Sequence, residues 1–314
     1  MSASSKARGA LRRVAFAVGR VVRPKPTATT HYFASNAPPA LRADGPLVFG
    51  SCVCREAHYR LPLFRWWCEQ LHEPPRYHRK LWEYVYICQG LHERGLLAPG
   101  KRGVGFGVGK EPLTALFASR GAEVLATDME ADAAREAGWL GSAQHAGAEL
   151  AALNARGICE PARFDAAVRY RSVDMNAIPE DLHGFDFCWS SCAFEHVGSI
   201  DLGLAFVRRA MDVLRPGGVA VHTTEFNLSS DTRTQSSGPT VLFRRRDFLA
   251  LAETLKADGH AVAPFDFETG REPVERYVDL PPYTAEPHLR LRLPFAFATY
   301  ATTSIGLIVV KGGA

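Results

Sequence analysis

A glycine-punctuated stretch, Gly103-Val104-Gly105-Phe106-Gly107-Val108-Gly109, constrains this chain more than any other feature. It stands directly before a helix-like run, Glu111 to Arg120, and a strand-like run, Glu123 to Thr127, which Asp128 closes. That order predicts a strand, a tight turn, a helix and a second strand. Glycines let a ligand approach the backbone closely, and the helix N-terminus offers unpaired N–H groups. Asp128 follows the turn by about 20 residues, the spacing at which a carboxylate meets the hydroxyls of a ribose. The arrangement predicts a site for a nucleoside-containing cofactor. The alternative is a turn whose glycines serve only the backbone.

Strand and helix patterns continue to alternate downstream. Tyr170-Arg171-Ser172-Val173 reads as a third strand ending in Asp174, followed by a turn at Met175-Asn176-Ala177-Ile178-Pro179. Phe185 to Ser191 reads as a buried fourth strand that runs into Cys192-Ala193-Phe194-Glu195-His196. A helix from Leu202 to Leu214, the turn Arg215-Pro216-Gly217-Gly218 and a fifth strand from Val219 to Thr223 come next. Phe248–Ala257 reads as a helix, with last strands at Ala261–Phe267 and Ser304–Val310. Alternation of this kind predicts a doubly wound α/β fold, Rossmann-like, with a mostly parallel sheet covered on both faces.

Taken together, these segments resemble the class I S-adenosylmethionine-dependent methyltransferases. The likeness rests on a D-V-G-C-G-x-G first motif, an S-x-x-x-x-E-H segment after the fourth strand and an L-K/R-P-G-G turn before the fifth. It covers roughly residues 101–314. A narrower likeness, over 184–228, is to methyltransferases of bacterial polysaccharide and lipopolysaccharide gene clusters. The resemblance implies seven strands and S-adenosyl-L-methionine as cofactor. It implies Gly103, Gly105, Gly107, Gly109, Asp128, Met129, Asp174, Met175 and Ser190 as cofactor-binding residues, with Asp174 at the adenine amino group and Met129 on the adenine face. Gly103 departs from the family pattern, which has an acid there near the methionine end of the cofactor. Glu111 is the candidate to replace it.

Methyl transfer relies on positioning, and on a base where the acceptor is a hydroxyl. His196 and Glu195 fall just past the fourth strand, at the sheet edge where ligands of such folds bind. His196 is the candidate base, because an imidazole is the side chain suited to proton transfer near neutral pH; the bland alternative is a pair that only fixes the loop. Glu225, with Asn227, follows the fifth strand as a candidate acceptor contact, whereas His222 reads as a satisfied strand residue. No metal set is assigned, although a divalent ion at Glu225 is an alternative. Cys52, Cys54, His58 and Cys68 read as buried thiols and a neighbour rather than ligands. The expected activity is transfer of a methyl group to a small-molecule or glycan acceptor, at a hydroxyl. The rival readings are a cofactor-binding scaffold without chemistry and a nicotinamide-dependent oxidoreductase.

Three regions are expected: a basic, proline-rich tail over 1–45, a helical preface over 46–100, and the cofactor-binding domain over 101–314. The tail holds Lys6, Arg8, Arg12, Arg13, Arg20, Arg23, Lys25 and Arg42 against one acid, Asp44, a net 8 − 1 = +7, so a net charge of +4 leaves 4 − 7 = −3 for the rest. That balance gives no nucleic-acid stripe. The tail's basic amphipathic pattern suits weak contact with an anionic membrane, or merely a leader. Seven cysteines scattered through strands and helices fit a reducing cytosol, with an inner-membrane periphery implied by the tail. Phe64, Trp66, Trp67, Trp82, Tyr84 and Tyr86 fall at helical spacing over Tyr59–Leu71 and Lys80–Leu97; core is the expected role, a stacking surface for a sugar or base the alternative. Residues 129–160 read as a helical excursion, 227–240 as a polar loop over the sheet edge, and 268–303 as a long insert.

Overall fold

A computed structural model describes residues 47–130, 150–283 and 286–313. The chain enters through β1 (Ser51–Val53), α1 (Glu56–Tyr59), α2 (Pro62–Gln70) and α3 (Arg79–His92). It then alternates through β2 (Arg102–Phe106), α4 (Leu113–Ser119), β3 (Glu123–Asp128), α5 (Pro161–Ala167), β4 (Val168–Ser172), β5 (Phe185–Ser191), α6 (Ile200–Ala210), β6 (Leu214–Asn227) and α7 (Arg245–Ala257). It closes with β7 (Ala261–Val262), β8 (Phe265–Asp266), α8 (Pro273–Arg276), β9 (Leu291–Pro294) and β10 (Thr299–Val310). The tail 1–45 and most of the excursion 129–160 lie outside the described residues.

One sheet carries all these strands in the order β4-β3-β2-β5-β6-β10-β1-β8, with β7 and β9 also on β10. The five strands from β4 to β6 are parallel, and β10 runs antiparallel to β6. The fold is the expected mostly parallel α/β sheet, but among the described residues it has ten strands where seven are expected. β1 joins from the helical preface, β9 comes from the insert, and Ala261–Phe267 splits in two around Ala263 and Pro264. Because β2 lies between β3 and β5, strand order reverses there. The crevice for a ligand therefore opens beyond the C-terminal ends of β2 and β5.

The two sheet faces are packed differently. On one, rings fill the space that glycines leave: a Cβ on Gly103 would overlap the Phe187 ring, one on Gly105 the Trp189 ring, and one on Gly306 the Tyr86 ring. Phe117 of α4 meets Phe187 and Trp189 edge-on. Every residue of α3 from Leu81 to Leu91 is buried, so this helix lies inside the protein. Phe64, Trp67, Trp82, Tyr84 and Tyr86 are therefore core and offer no stacking surface; Trp66 is covered by the Arg120 guanidinium. The other face packs Phe194, Phe206, Phe243 and Phe248 of the α6–α7 layer. Among the described residues no helix is long and apolar enough to cross a membrane.

Candidate active site

The glycine turn is laced to the end of β3. Gly107 and Gly109 take left-handed φ of 61° and 51°, which glycine adopts without penalty. A Cβ on Gly107 would also crowd Ala193 at 2.8 Å, with the Met175 sulfur at 3.5 Å. Thr127 Oγ1 donates to the Gly105 carbonyl at 2.7 Å, and the Val108 amide to the Thr127 carbonyl at 3.1 Å. Gly109 N donates to Asp128 Oδ2 at 3.1 Å and Met129 N to Oδ1 at 2.9 Å. These bonds aim the carboxylate at the turn, where a ribose hydroxyl could meet it. Gly107, Gly109, Asp128, Met129 and Met175 are thus gathered around one turn, which suits a nucleoside.

Four other expected cofactor residues sit differently. Gly103 and Gly105 lie within β2 under the Phe187 and Trp189 rings. At Gly103 the ring occupies the volume that the family's acid would need. Ser190 is buried, its hydroxyl 2.8 Å from His222 Nδ1. Asp174 lies past the end of β4, is exposed, and accepts from Asn176 N at 2.8 Å.

Beside the turn, α3 delivers a cluster of charges. His78 caps the helix by accepting from Lys80 N at 3.1 Å. Arg79 pairs with Glu225 and Glu83 and donates to Ser304 Oγ at 3.1 Å. Lys80 Nζ lies 2.6 Å from Glu111 Oε1, 3.2 Å from Glu83 Oε2, 2.9 Å from the Ser191 carbonyl and 3.0 Å from its hydroxyl. Burial works against the charge of Glu83, but Lys80 and Arg79 hold its carboxyl down at about 2. Burial raises Glu111 to about 7 against the pull of Lys80. Lys80 itself stays firmly protonated despite burial, because it has both carboxylates as partners. Glu111 is therefore the member that gives way on titration.

At the end of β5 the chain turns sharply: Cys192 has φ 48°, and a single 3-10 turn, Phe194–His196, follows. Glu195 is buried, accepts from Thr224 Oγ1 at 2.9 Å, and is raised by its burial. His196 Nδ1 lies 2.8 Å from the Pro239 carbonyl, so Nδ1 carries the proton. Nε2 lies 4.0 Å from Glu195 Oε1. Alternation along β6 then divides the expected trio. Thr224 points to Glu195, whereas Glu225 points to Arg79 under α3 and accepts from Thr302 Oγ1. His222 is fully buried and lowered by burial to about 3. Asn227 ties the following loop by donating to the Arg233 carbonyl at 3.0 Å.

Sequence reasoning missed Arg79, Lys80 and Glu83, which a helical pattern presents only as polar positions near a helix start. It also missed a pair in the insert, where buried Asp279 Oδ2 lies 2.9 Å from His288 Nδ1. The His288 ring stacks on His78 at 4.5 Å and meets Tyr283 at 5.7 Å. The insert thus folds back onto the start of α3; its length was the only sequence signal.

Residues 104–222 match a family model described as a methyltransferase domain. No curated protein matches the chain. Among solved structures, the chain is similar to Burkholderia thailandensis 1,6-didemethyltoxoflavin-N1-methyltransferase with bound 1,6-didemethyltoxoflavin and S-adenosylhomocysteine: 16% identity, TM-score 0.45, over 74% of this chain and 78% of that one. It is also similar to the magnesium protoporphyrin IX methyltransferase of Synechocystis: 11% identity, TM-score 0.42, over 78% and 92%. A third is phosphoethanolamine N-methyltransferase 2 of Haemonchus contortus: 19% identity, TM-score 0.43, over 72% and 53%.

Proposed function

From its place among the class I S-adenosylmethionine-dependent methyltransferases, we propose that this protein methylates a hydroxyl of a small-molecule or glycan acceptor. S-adenosylmethionine is the cofactor, and when bound it supplies a methyl group on an electrophilic sulfonium. The chain's own residues hold and orient it: Asp128 for the ribose, Gly107 and Gly109 for close backbone approach, Met129 and Met175 for apolar contact.

The observation that carries the hydroxyl reading is the His196–Glu195 pair beyond β5. A hydroxyl loses its proton as its oxygen is methylated, and the His196 imidazole, just beyond β5, is the side chain placed to take it. Glu195, 4.0 Å away, stabilises the imidazolium that results. An amine acceptor needs no such base once neutral. Glu225 is already engaged by Arg79 and Thr302, so its part is to position rather than to accept a proton. Tyr283, 40% exposed and edge-on to His288, is an open ring on which a sugar face can rest.

The test is S-adenosylhomocysteine release with panels of hydroxyl and amine acceptors. On the hydroxyl substrate His196→Ala is expected to lower turnover about 10²–10⁴-fold, with cofactor affinity unchanged. Turnover confined to amines, with His196→Ala as active as the parent, overturns the reading.

A further inference from the structure

We propose that Lys80 and Glu111 together form the seat of the cofactor's amino-acid end, Glu111 taking the α-ammonium and Lys80 the α-carboxylate. The proposal rests on the cofactor reading above and assigns a part of the site that the family's own motif leaves empty in this chain. With Gly103 under the Phe187 ring, β2 has neither a carboxylate nor space for one.

Glu111 is positioned for the task. It follows the glycine turn by two residues, and its amide donates to the Val108 carbonyl at 3.2 Å, so its side chain starts from the turn itself. The side chain is only 11% exposed. Oε1 meets Lys80, while Oε2 is buried with no hydrogen-bond partner. A buried carboxylate oxygen without a donor is unfavourable by a full desolvation penalty, so a site that leaves one open is suited to an incoming N–H. An ammonium supplies that donor.

Lys80 stands on the other side of the same space. Its contacts with the Ser191 carbonyl and hydroxyl fix it at the C-terminal end of β5. Two residues on, Ala193 faces Gly107 of the turn. The side chain is 33% exposed, so it is reachable by ligand. Charge balance agrees. With Glu111 ionised, Arg79 and Lys80 face Glu83, Glu111 and Glu225, a sum of 2 − 3 = −1. Arg79 is taken by Glu225 and Glu83, and Lys80 is shared by Glu83 and Glu111, so Glu111 is the surplus anion. A cluster one negative charge in excess suits a ligand carrying a sulfonium and an ammonium against a single carboxylate. In the free protein the Lys80–Glu111 pair substitutes for the ligand's own pair of charges.

The experiment is calorimetry with two probes: S-adenosylhomocysteine, and 5′-methylthioadenosine, which keeps the adenosine half but lacks the amino-acid end. In the parent, S-adenosylhomocysteine should bind at least tenfold tighter. Glu111→Gln and Lys80→Met should each weaken S-adenosylhomocysteine tenfold or more and change 5′-methylthioadenosine less than twofold. If both probes weaken in step in variants with the parental thermal midpoint, or neither weakens, the proposal is overturned. Should Lys80→Met fail to fold, because Glu83 loses a partner, the nearly isosteric Glu111→Gln carries the test alone. A parent that binds neither probe instead refutes the cofactor reading underneath.

Discussion

Thr127 closes the glycine turn on a partner 22 residues away, whereas Arg79 reaches Ser304 across 225 and Lys80 reaches Ser191 across 111. The proposed adenosine side of the site is almost all one continuous stretch, 103–129, held by its own backbone, with Met175 added from beyond β4. The proposed methionine and acceptor side is collected from α3, the glycine turn, the ends of β5 and β6, β10 and the insert. Contacts at short separation form at little loop-closure cost, while each distant one presupposes the rest of the fold. The second side also relies on buried charge, which is stabilising only while every partner is in place. The collected half should therefore be the more fragile of the two.

Acid offers the largest test of that difference. His58 accepts from Trp82 Nε1 at 2.8 Å and His78 accepts from Lys80 N, so protonation removes one bond at the N-cap of α3 and another in its first turn. Burial first, and nearby positive charge second, lowers both to about 3, as burial alone does for His222. Their folded pKa lies below the unfolded 6.5, so the unfolded chain binds more protons and stability falls as pH drops from 6.5 toward 3. Three such groups give a slope of up to roughly 4 kcal/mol per pH unit. Glu111, raised to about 7, has the opposite sign: the stability it contributes is present at low pH and is lost as pH rises through 7. Urea unfolding followed by tryptophan fluorescence should show a steep fall below about pH 6; a flat profile between pH 6.5 and 4.5 would remove the claim of fragility.

How far the site was legible follows the same division. Gly107, Gly109 and Asp128 could be read because turn, helix and carboxylate follow one another within one β-α-β unit. His196 and Glu195 were legible through their place just past an apolar strand. Lys80 and Glu83 were not, since α3 is buried nearly all round and a helical period says nothing of what meets its polar end. Asp279 and His288 form no motif, and only the return of the insert across the sheet edge brings them to His78. Gly103 could be seen as a departure; that Phe187 fills the place required the strand register, in which the two residues are paired. β1 was invisible because three residues make a strand only beside β10 and β8.

Glu83→Ala strikes the collected half directly. It leaves Arg79 and Lys80 short of a fully buried carboxylate and Ser191 and Ser304 short of an acceptor. The expected loss is about 3–5 kcal/mol, as for removing one partner of a buried pair, read from the urea midpoint. A loss below about 1 kcal/mol, the range of a surface pair, would show the cluster to be solvated. Next in size is Gly103→Asp, which restores the family's acid in sequence. Overlap with Phe187 and an unpaired buried carboxylate should destabilise it by about 3 kcal/mol. A stable variant with tighter S-adenosylhomocysteine binding would show that the ring yields and the acid position is still usable.

Asp128→Ala probes the continuous half. Loss of hydrogen bonds to a charged group should weaken S-adenosylhomocysteine by roughly 1.5–3 kcal/mol, measured by calorimetry. The fold should hold, because Thr127 and Val108 still close the turn. A collapse of stability comparable to Glu83→Ala would erase the difference between the halves.

The smallest effect is expected from removing the tail, and it marks where the collected half begins. A chain starting at residue 46 retains β1 and the bonds from Val48 N and Phe49 N to Glu93 at 2.9 and 3.4 Å. Its thermal midpoint and S-adenosylhomocysteine affinity should match the parent's, with stability within about 0.5 kcal/mol. A chain starting at residue 55 loses β1, and with it a partner of both β10 and β8, so it should lose stability sharply. The tail's effect should instead appear on vesicles. Eight basic side chains at about 1 kcal/mol each near an anionic surface, screened by salt, predict co-sedimentation with phosphatidylserine vesicles at low ionic strength that the 46–314 chain lacks. Equal sedimentation of the two forms would assign membrane contact to the folded body, and none by either would leave the tail without that role. If starting at residue 46 proved as damaging as starting at 55, the collected half would extend into the tail itself.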